Sequence, residues 1–228
     1  MNTLTLVSIS VTIVFYVVAV TLSKRVKSPF TTPILTATAL IIVFLHLLDV
    51  SYEQYQPAKD WITYMLGPAT VALAVPLYKN RLIIKEKFIP AIIGLVIGTM
   101  STIASAIFIS KLLGFSESIQ KASAVKAVTT PVAIETVMLL DGNPSLAVAF
   151  VIIAGVFGAV FGPIILNALK ISDHFSRGFG LGTVSHAIGT SQALSEGPIQ
   201  GAAASVAMGF AAIITSIILP LVYTIFHL

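Results

Sequence analysis

Long runs of apolar residues alternate with short charged stretches along most of the chain. Each run is at or near the roughly 20 helical residues needed to cross a hydrocarbon layer of about 30 Å. They cover residues 4–22, 31–48, 61–78, 88–110, 145–169 and 199–226. In lipid, backbone N–H and C=O groups must pair within their own segment, so the runs predict helices. Their continuous apolar character disfavours a β-barrel, whose strands alternate.

Two segments depart from this pattern and predict broken or re-entrant helices. Residues 178–195 carry no charge, but their glycines alternate with Thr, Ser, His and Gln. Residues 123–140 place Lys126 and Glu135 on either side of a Thr-Thr-Pro sequence. Both segments are too polar to face lipid along their whole length.

Glycine and proline mark where these helices are expected to break. The predicted break positions are Gly67, Pro68, Pro131 and Gly189. Proline removes a backbone N–H and displaces the carbonyl four residues earlier. At Gly67-Pro68 a kinked but continuous helix and a broken helix that exposes backbone to a cavity both remain open. Interrupted helices in both halves of a transporter are a sign of a binding site near the middle of the membrane.

The composition identifies an integral membrane protein. Of 228 residues, 57% are hydrophobic and 10% are charged, and the mean hydropathy is +1.00, whereas about a quarter of residues in soluble domains are charged. The predicted fold is therefore an all-α, multi-span helical bundle in a single transmembrane domain, with a possible internal repeat.

Several function classes are disfavoured. Cysteine is absent, which excludes disulfides, cysteine-bound zinc and thiol nucleophiles. No Ser-His-Asp order, metal-ligand cluster or phosphate loop is present, so we expect no enzyme, no metal and no cofactor beyond a possible coupling ion, H⁺ or Na⁺. We also expect no nucleic-acid partner, because the positive charges are distributed along the loops of a membrane protein.

The distribution of charge predicts the orientation. If segments 123–140 and 178–195 are re-entrant, nine of the thirteen Lys and Arg fall on one side, namely those at 24, 25, 27, 79, 81, 85, 87, 170 and 177. Positive loops face the cytoplasm. We therefore expect an inner (plasma) membrane protein with its N-terminus outside.

The polar segments supply the candidate site. Read as helix, Lys126, Thr129 and Thr130 share one face, and Pro131 restarts the helix with free N–H groups, which attract anions. Lys126 and Glu135 could equally form a structural ion pair.

In the second polar segment Thr183, His186 and Thr190 would share a helix face. His186 could bind a carboxylate, carry a proton or simply join two helices. Candidate substrate ligands are Lys126, Thr129, Thr130, His186 and Thr190, and candidate ion-coupling residues are Glu135 and His186. Small-residue rows in the apolar runs could serve intramolecular packing or a homo-oligomer equally well.

Three blocks carry a family resemblance: LGPATVALAVPLYKN at 66–80, VKAVTTPVAIE at 125–135 and RGFGLGTVSHAIGTSQALSEG at 177–197. In order and spacing they resemble the LrgB/CidB family of antiholin-like bacterial membrane proteins, which includes plant relatives in a chloroplast glycolate/glycerate translocator.

The resemblance implies two kinds of function. One is holin- or antiholin-like control of murein hydrolase activity and cell lysis, together with a small LrgA/CidA-type membrane partner. The other is transport of small carboxylate anions such as glycolate, glycerate or pyruvate. Placing a charge such as Lys126 or Glu135 at the centre of the membrane costs about 2.5 to 3.5 kcal/mol, and it is usually tolerated only inside the helical bundle. A holin-like role makes little demand on individual intramembrane polar residues, so these two charges favour transport.

Overall fold

The computed structural model describes residues 2–26, 31–65, 68, 71–72, 74–79 and 81–226. Within these residues the regular structure is helical and contains no strand, which confirms the all-α prediction. The helices are α1 (Thr3–Arg25), α2 (Pro33–Leu47), α3 (Tyr52–Tyr64), α4 (Ala74–Lys79), α5 (Arg81–Glu86), α6 (Phe88–Leu112), α7 (Glu117–Ala124), α8 (Thr130–Met138), α9 (Pro144–Ala168), α10 (His174–Glu196) and α11 (Pro198–Phe226).

Four of the described helices are long and apolar enough to cross a membrane. They are Thr3–Arg25, Phe88–Leu112, Pro144–Ala168 and Pro198–Thr224. A fifth apolar helix, Pro33–Leu47, is shorter. The chain divides by its contacts into two compact units, Met1–Ala72 and Leu73–Leu228. The expected number of crossings and the single domain stay predictions.

The first unit packs α1 against α2 and α3. The Thr12 hydroxyl lies 2.9 Å from the Tyr55 hydroxyl, which ties α1 to α3. Helix α3 begins at Tyr52 and not near Trp61 because Ser51 and Gln54 form a capping box, each side chain pairing with the other's backbone N–H. Gly67 lies outside the described residues, and so do the residues on both sides of Pro68. The predicted break at Gly67-Pro68 therefore stays a prediction.

The second unit alternates long helices with helical hairpins. The long helices are α6, α9 and α11, and between them lie a first hairpin (residues 117–138, α7 and α8) and a second hairpin (His174–Glu196, α10). α10 is assigned as one helix, but its dihedral angles are non-helical at Ser185 and His186.

The first hairpin runs down α6 and back. Ser123 Oγ lies 3.0 Å from Ser110 Oγ, and Lys126 reaches Thr102, further back along α6. At the far end a Cβ added to Gly142 would lie 3.3 Å from Lys121 Cβ, so the chain has returned to the level of α7. The turn between α7 and α8 is thus the tip of the first hairpin.

One ion pair shows that α10 is folded back on itself as a hairpin. Arg177 Nε donates to Glu196 Oε2 at 2.9 Å and Nη2 donates to Glu196 Oε1 at 3.2 Å. In a straight helix residues 19 apart would be separated by roughly 28 Å. The two arms, 174–185 and 187–196, must therefore fold back on each other, and neither is long enough to cross the membrane alone.

The first arm packs closely on α11. A Cβ at Gly178 would collide with the backbone of Gln200, and a Cβ at Gly182 would collide with the backbone of Ala204. The glycines therefore permit backbone contact between the hairpin and α11.

Candidate functional site

The break in the second hairpin falls on a histidine. Ser185 has φ −123° and ψ 17°, and His186 has φ 43° and ψ −135°. A side chain in this region costs on the order of 1–3 kcal/mol and persists only where surrounding contacts hold it. The prediction of a break at Gly189 is therefore corrected by three residues. Gly189 instead lets the second arm approach the backbone of Leu181 on the first.

The same break changes the predicted face of Thr183, His186 and Thr190. The three residues are buried, but they lie on two arms of a hairpin and not along one helix face. The Thr183 hydroxyl donates to Phe179 O and the Thr190 hydroxyl donates to His186 O, both at 2.8 Å. Both hydroxyls thus bond to a carbonyl four residues earlier, and the Thr190 hydroxyl also lies 3.7 Å from Met208 Sδ of α11.

His186 joins the hairpin tip to α9. Its side chain is 3% exposed, and Nε2 lies 2.9 Å from Val151 O. A Cβ on Gly155 would lie 2.7 Å from the imidazole, and a Cβ on Gly158 would collide with Ser185. Only glycine at these two positions of α9 leaves room for the His186 ring and for Ser185. We call the space beside Gly155 the seat of the ring. In this conformation the ring holds two elements together.

The tip of the first hairpin is a turn followed by a new helix. Thr129 is extended (φ −67°, ψ 151°) and is the N-cap of α8, and Pro131 lies in the first turn. Proline disfavours a preceding helix and suits a first turn, which explains the restart. Lys126, Thr129 and Thr130 therefore do not share a helix face, because residues 125–129 are not helical.

Lys126 extends from this turn to α6. Its Nζ donates to Thr102 O at 2.7 Å, and within the described chain no carboxylate lies within 4.0 Å of it. Glu135 is exposed on α8, so the suggested Lys126–Glu135 ion pair is absent. Lys126 and Ser185 line one cavity of about 500 Å³ whose other walls are mainly apolar side chains of α9 and α10.

The second unit contains two large apolar clusters, each named here by one of its members. The Phe175 cluster contains Ala91, Leu95, Phe175, Phe179, Ala203, Ala207 and Ala211. The Val151 cluster contains, among others, Ile103, Val125, Val128, Val151, Leu219 and Tyr223.

Two threonines lie at the boundary between these clusters. Thr99 on α6 lies one turn from Leu95 of the Phe175 cluster and one turn from Ile103 of the Val151 cluster. Thr215 has the same relation to the clusters on α11. The Thr99 hydroxyl is buried without a hydrogen-bond partner in the described chain.

The entrance to the second hairpin is held by charged groups. Asp173 caps α10 and accepts from Ser176 N at 2.8 Å, and Lys87 at the start of α6 donates to the same carboxylate at 2.6 Å. The hydrogen bond from Lys87, with those from Ser176, lowers the pKa of Asp173 to about 2. The carboxylate is therefore ionised at physiological pH and links the two helices.

Much of this site is made of backbone groups. The acceptors for His186 and Lys126 are carbonyls of Val151 and Thr102, and any residue type would supply them. Ser185 and Thr99 carried no separate sequence signal. The small-residue row containing Gly155 and Gly158 did indicate close packing, but not what packs there.

An all-α unit in which long apolar helices alternate with two helical hairpins defines a membrane protein with interrupted helices. Residues 12–225 match the model of the LrgB-like family, and the chain belongs to this family.

Relatives cover nearly the whole chain. It is 39% identical over 223 residues to "Uncharacterized protein YxaC" of Bacillus subtilis strain 168 (98% of this chain, 97% of the relative). It is 33% identical over 210 residues to YwbG of the same organism (92% and 93%). It is 31% identical over 222 residues to "Holin-like protein CidB" of Staphylococcus aureus strain N315 (97% of both chains). No solved structure matches the chain.

Proposed function

We propose that this chain is a holin-like protein of the bacterial plasma membrane, oriented with its N-terminus outside. The observation that supports this most is the likeness to CidB over 97% of both chains. In this role the protein controls membrane permeability and, through it, murein hydrolase activity and cell lysis. It acts with a small LrgA/CidA-type membrane partner and as a homo-oligomer.

A second candidate function is the ion-coupled transport of small carboxylates such as glycolate, glycerate or pyruvate. It is favoured by an ammonium group, Lys126, that lines an apolar cavity without a carboxylate partner in the described chain. A buried cation is stabilised by an anion that it can pair with. Thr129 and Thr130 begin α8, whose N-terminal N–H groups would add to the attraction of an anion.

The remaining candidate ligands are engaged with the protein in this conformation. His186 bonds to Val151 O, and Thr190 bonds to His186 O. They would contact a carboxylate only after the hairpin tip moves. Proton or sodium coupling through Glu135 or His186 is part of the same proposal.

Flux into proteoliposomes separates the two candidates. Carboxylate transport predicts saturable uptake of labelled pyruvate or glycolate, with retention of a trapped dye such as calcein. We expect Lys126→Gln to reduce this uptake at least tenfold, while Lys111→Gln, an exposed lysine at the end of α6, serves as the matched control.

The holin-like role predicts release of solutes of many sizes without saturation, and a dependence of that release on a co-reconstituted partner. Uptake that saturates but is equal in the parent and in Lys126→Gln would remove Lys126 from the site. Dye retention even with the co-reconstituted partner, combined with no carboxylate uptake, would contradict both candidates.

A further inference from the structure

The tip of the second hairpin is a conformation that its own sequence does not favour. His186 adopts φ 43° without being glycine, and its dihedral angles interrupt an otherwise helical segment. Such backbone is retained only when other contacts hold it, and it is concentrated in parts of proteins that switch. The contacts that hold this tip therefore decide whether the hairpin stays in place.

Few polar contacts hold the tip. The ring Nε2 pairs with Val151 O across to α9, whereas the Thr190 hydroxyl bonds to His186 O within the hairpin and lies 3.7 Å from Met208 Sδ of α11. The Ser185 side chain lies over Gly158, where an added Cβ would collide with its hydroxyl. The His186–Val151 bond is thus the polar link between the tip and α9 in the described part of the structure.

The first arm of the hairpin borders two cavities. One is the cavity of about 500 Å³ lined by Lys126, and the other, of about 530 Å³, lies against α6 and is lined by Thr183. Gly180 and Val184 line both. The space beside Gly180 is open, since a Cβ there would meet nothing within 4 Å. Any movement of this arm changes both cavities together.

We propose that His186 is a latch that holds the first arm of the second hairpin in its closed position. When the bond to Val151 O opens, the ring leaves its seat at Gly155, the backbone at Ser185 and His186 relaxes, and the wall shared by the two cavities moves. This inference rests on the proposed passage of solutes through the second unit, and it supplies the gate of that passage.

The absence of native cysteine allows a direct test by thiol labelling. Ser185→Cys puts a reporter at the tip, where the side chain is 1% exposed, and Thr183→Cys puts one beside the other cavity. The purified full chain in proteoliposomes is treated with N-ethylmaleimide. We expect His186→Ala to raise the labelling rate of both reporters at least tenfold.

Gly155→Ala tests the same latch without removing the histidine. The added methyl group would lie 2.7 Å from the ring, so we expect it to displace the ring and to raise labelling in the same way. Gly209→Ala, where a Cβ meets nothing within 4 Å, and His46→Ala, at an exposed histidine of α2, are the matched controls and should label at the parent rate.

His186→Gly separates the latch from backbone strain. Glycine accepts positive φ without penalty. His186→Gly should therefore label as fast as His186→Ala but unfold at a higher temperature than His186→Ala. The latch is overturned if His186→Ala and Gly155→Ala label no faster than the parent reporters. Labelling does not depend on flux, so parent protein that neither transports carboxylate nor releases dye would refute the proposed passage without deciding the latch.

Discussion

At the scale of single residues, Thr99 gives the clearest energetic prediction. Its hydroxyl is buried and unpaired within the described chain, and an unsatisfied buried polar group costs about 1–3 kcal/mol. We expect Thr99→Val to raise the free energy of unfolding by about 1 kcal/mol, measured by thermal or denaturant unfolding in detergent.

The matched control is Thr183→Val, because the Thr183 hydroxyl is equally buried but donates to Phe179 O at 2.8 Å. That variant should lose stability. If Thr99→Val is the destabilised one, its hydroxyl is bonded to a bound water or solute, and the interpretation of it as unsatisfied is wrong.

Sequence reasoning found the polar residues of the site better than their partners. It singled out Lys126 and His186 because charge and imidazole are rare in apolar segments. It left a substrate anion and an ion pair with Glu135 open for Lys126 and did not anticipate Thr102 O, because the position of that carbonyl relative to the turn depends on how the first hairpin packs. The exposure of Glu135 was unpredictable for the same reason.

At the scale of elements, the second hairpin depends on its clamp. Arg177 also donates to Asn167 Oδ1 at 2.8 Å and to Ile171 O at 3.0 Å, so it ties the hairpin to the end of α9 as well as to Glu196. The two side chains are only 12% and 16% exposed, so removing one partner leaves a poorly compensated charge and destabilises the hairpin.

A double-mutant cycle tests the clamp. We expect Glu196→Leu alone to be more destabilising than the double variant Arg177→Met with Glu196→Leu, because only the single change leaves a charge unpaired. The exposed pair of Lys59 and Asp60 is the control, and its cycle should give less than about 1 kcal/mol. Additive effects at Arg177 and Glu196 would show that the pair does not hold the arms.

The two hairpins also show which local signals are reliable. Pro131 lies in the first turn of α8, where proline fits because it restricts its own φ and the residue before it. Gly189 was misleading as a break signal, since it permits close contact between the two arms, as Gly178 and Gly182 permit contact with α11. The positive φ went to His186, which tertiary contacts hold there.

At the scale of the whole molecule, the orientation of the second unit can be tested through its loops. If the charge distribution sets the orientation, the turn after α9 lies inside and the start of α7 lies outside. We expect Ser172→Cys to react with an impermeant maleimide only from the cytoplasmic side, in inverted vesicles.

Glu117→Cys should react only from the outer side, in intact cells. Both positions are exposed, so access to the reagent is not limiting in either variant. Labelling of both from the same side would contradict the orientation predicted from the charge distribution, which puts these two positions on opposite sides.

The amino-acid sequence by itself determined that the chain is an all-α membrane protein, because continuous apolar runs leave helices as the way to satisfy the backbone in lipid. It also located the two segments that do not suit lipid. The tertiary structure decided that both are hairpins, that His186 bonds to Val151 O, and that Arg177 meets Glu196. These outcomes rest on contacts between residues distant in sequence and on backbone carbonyls, neither of which leaves a local pattern along the chain.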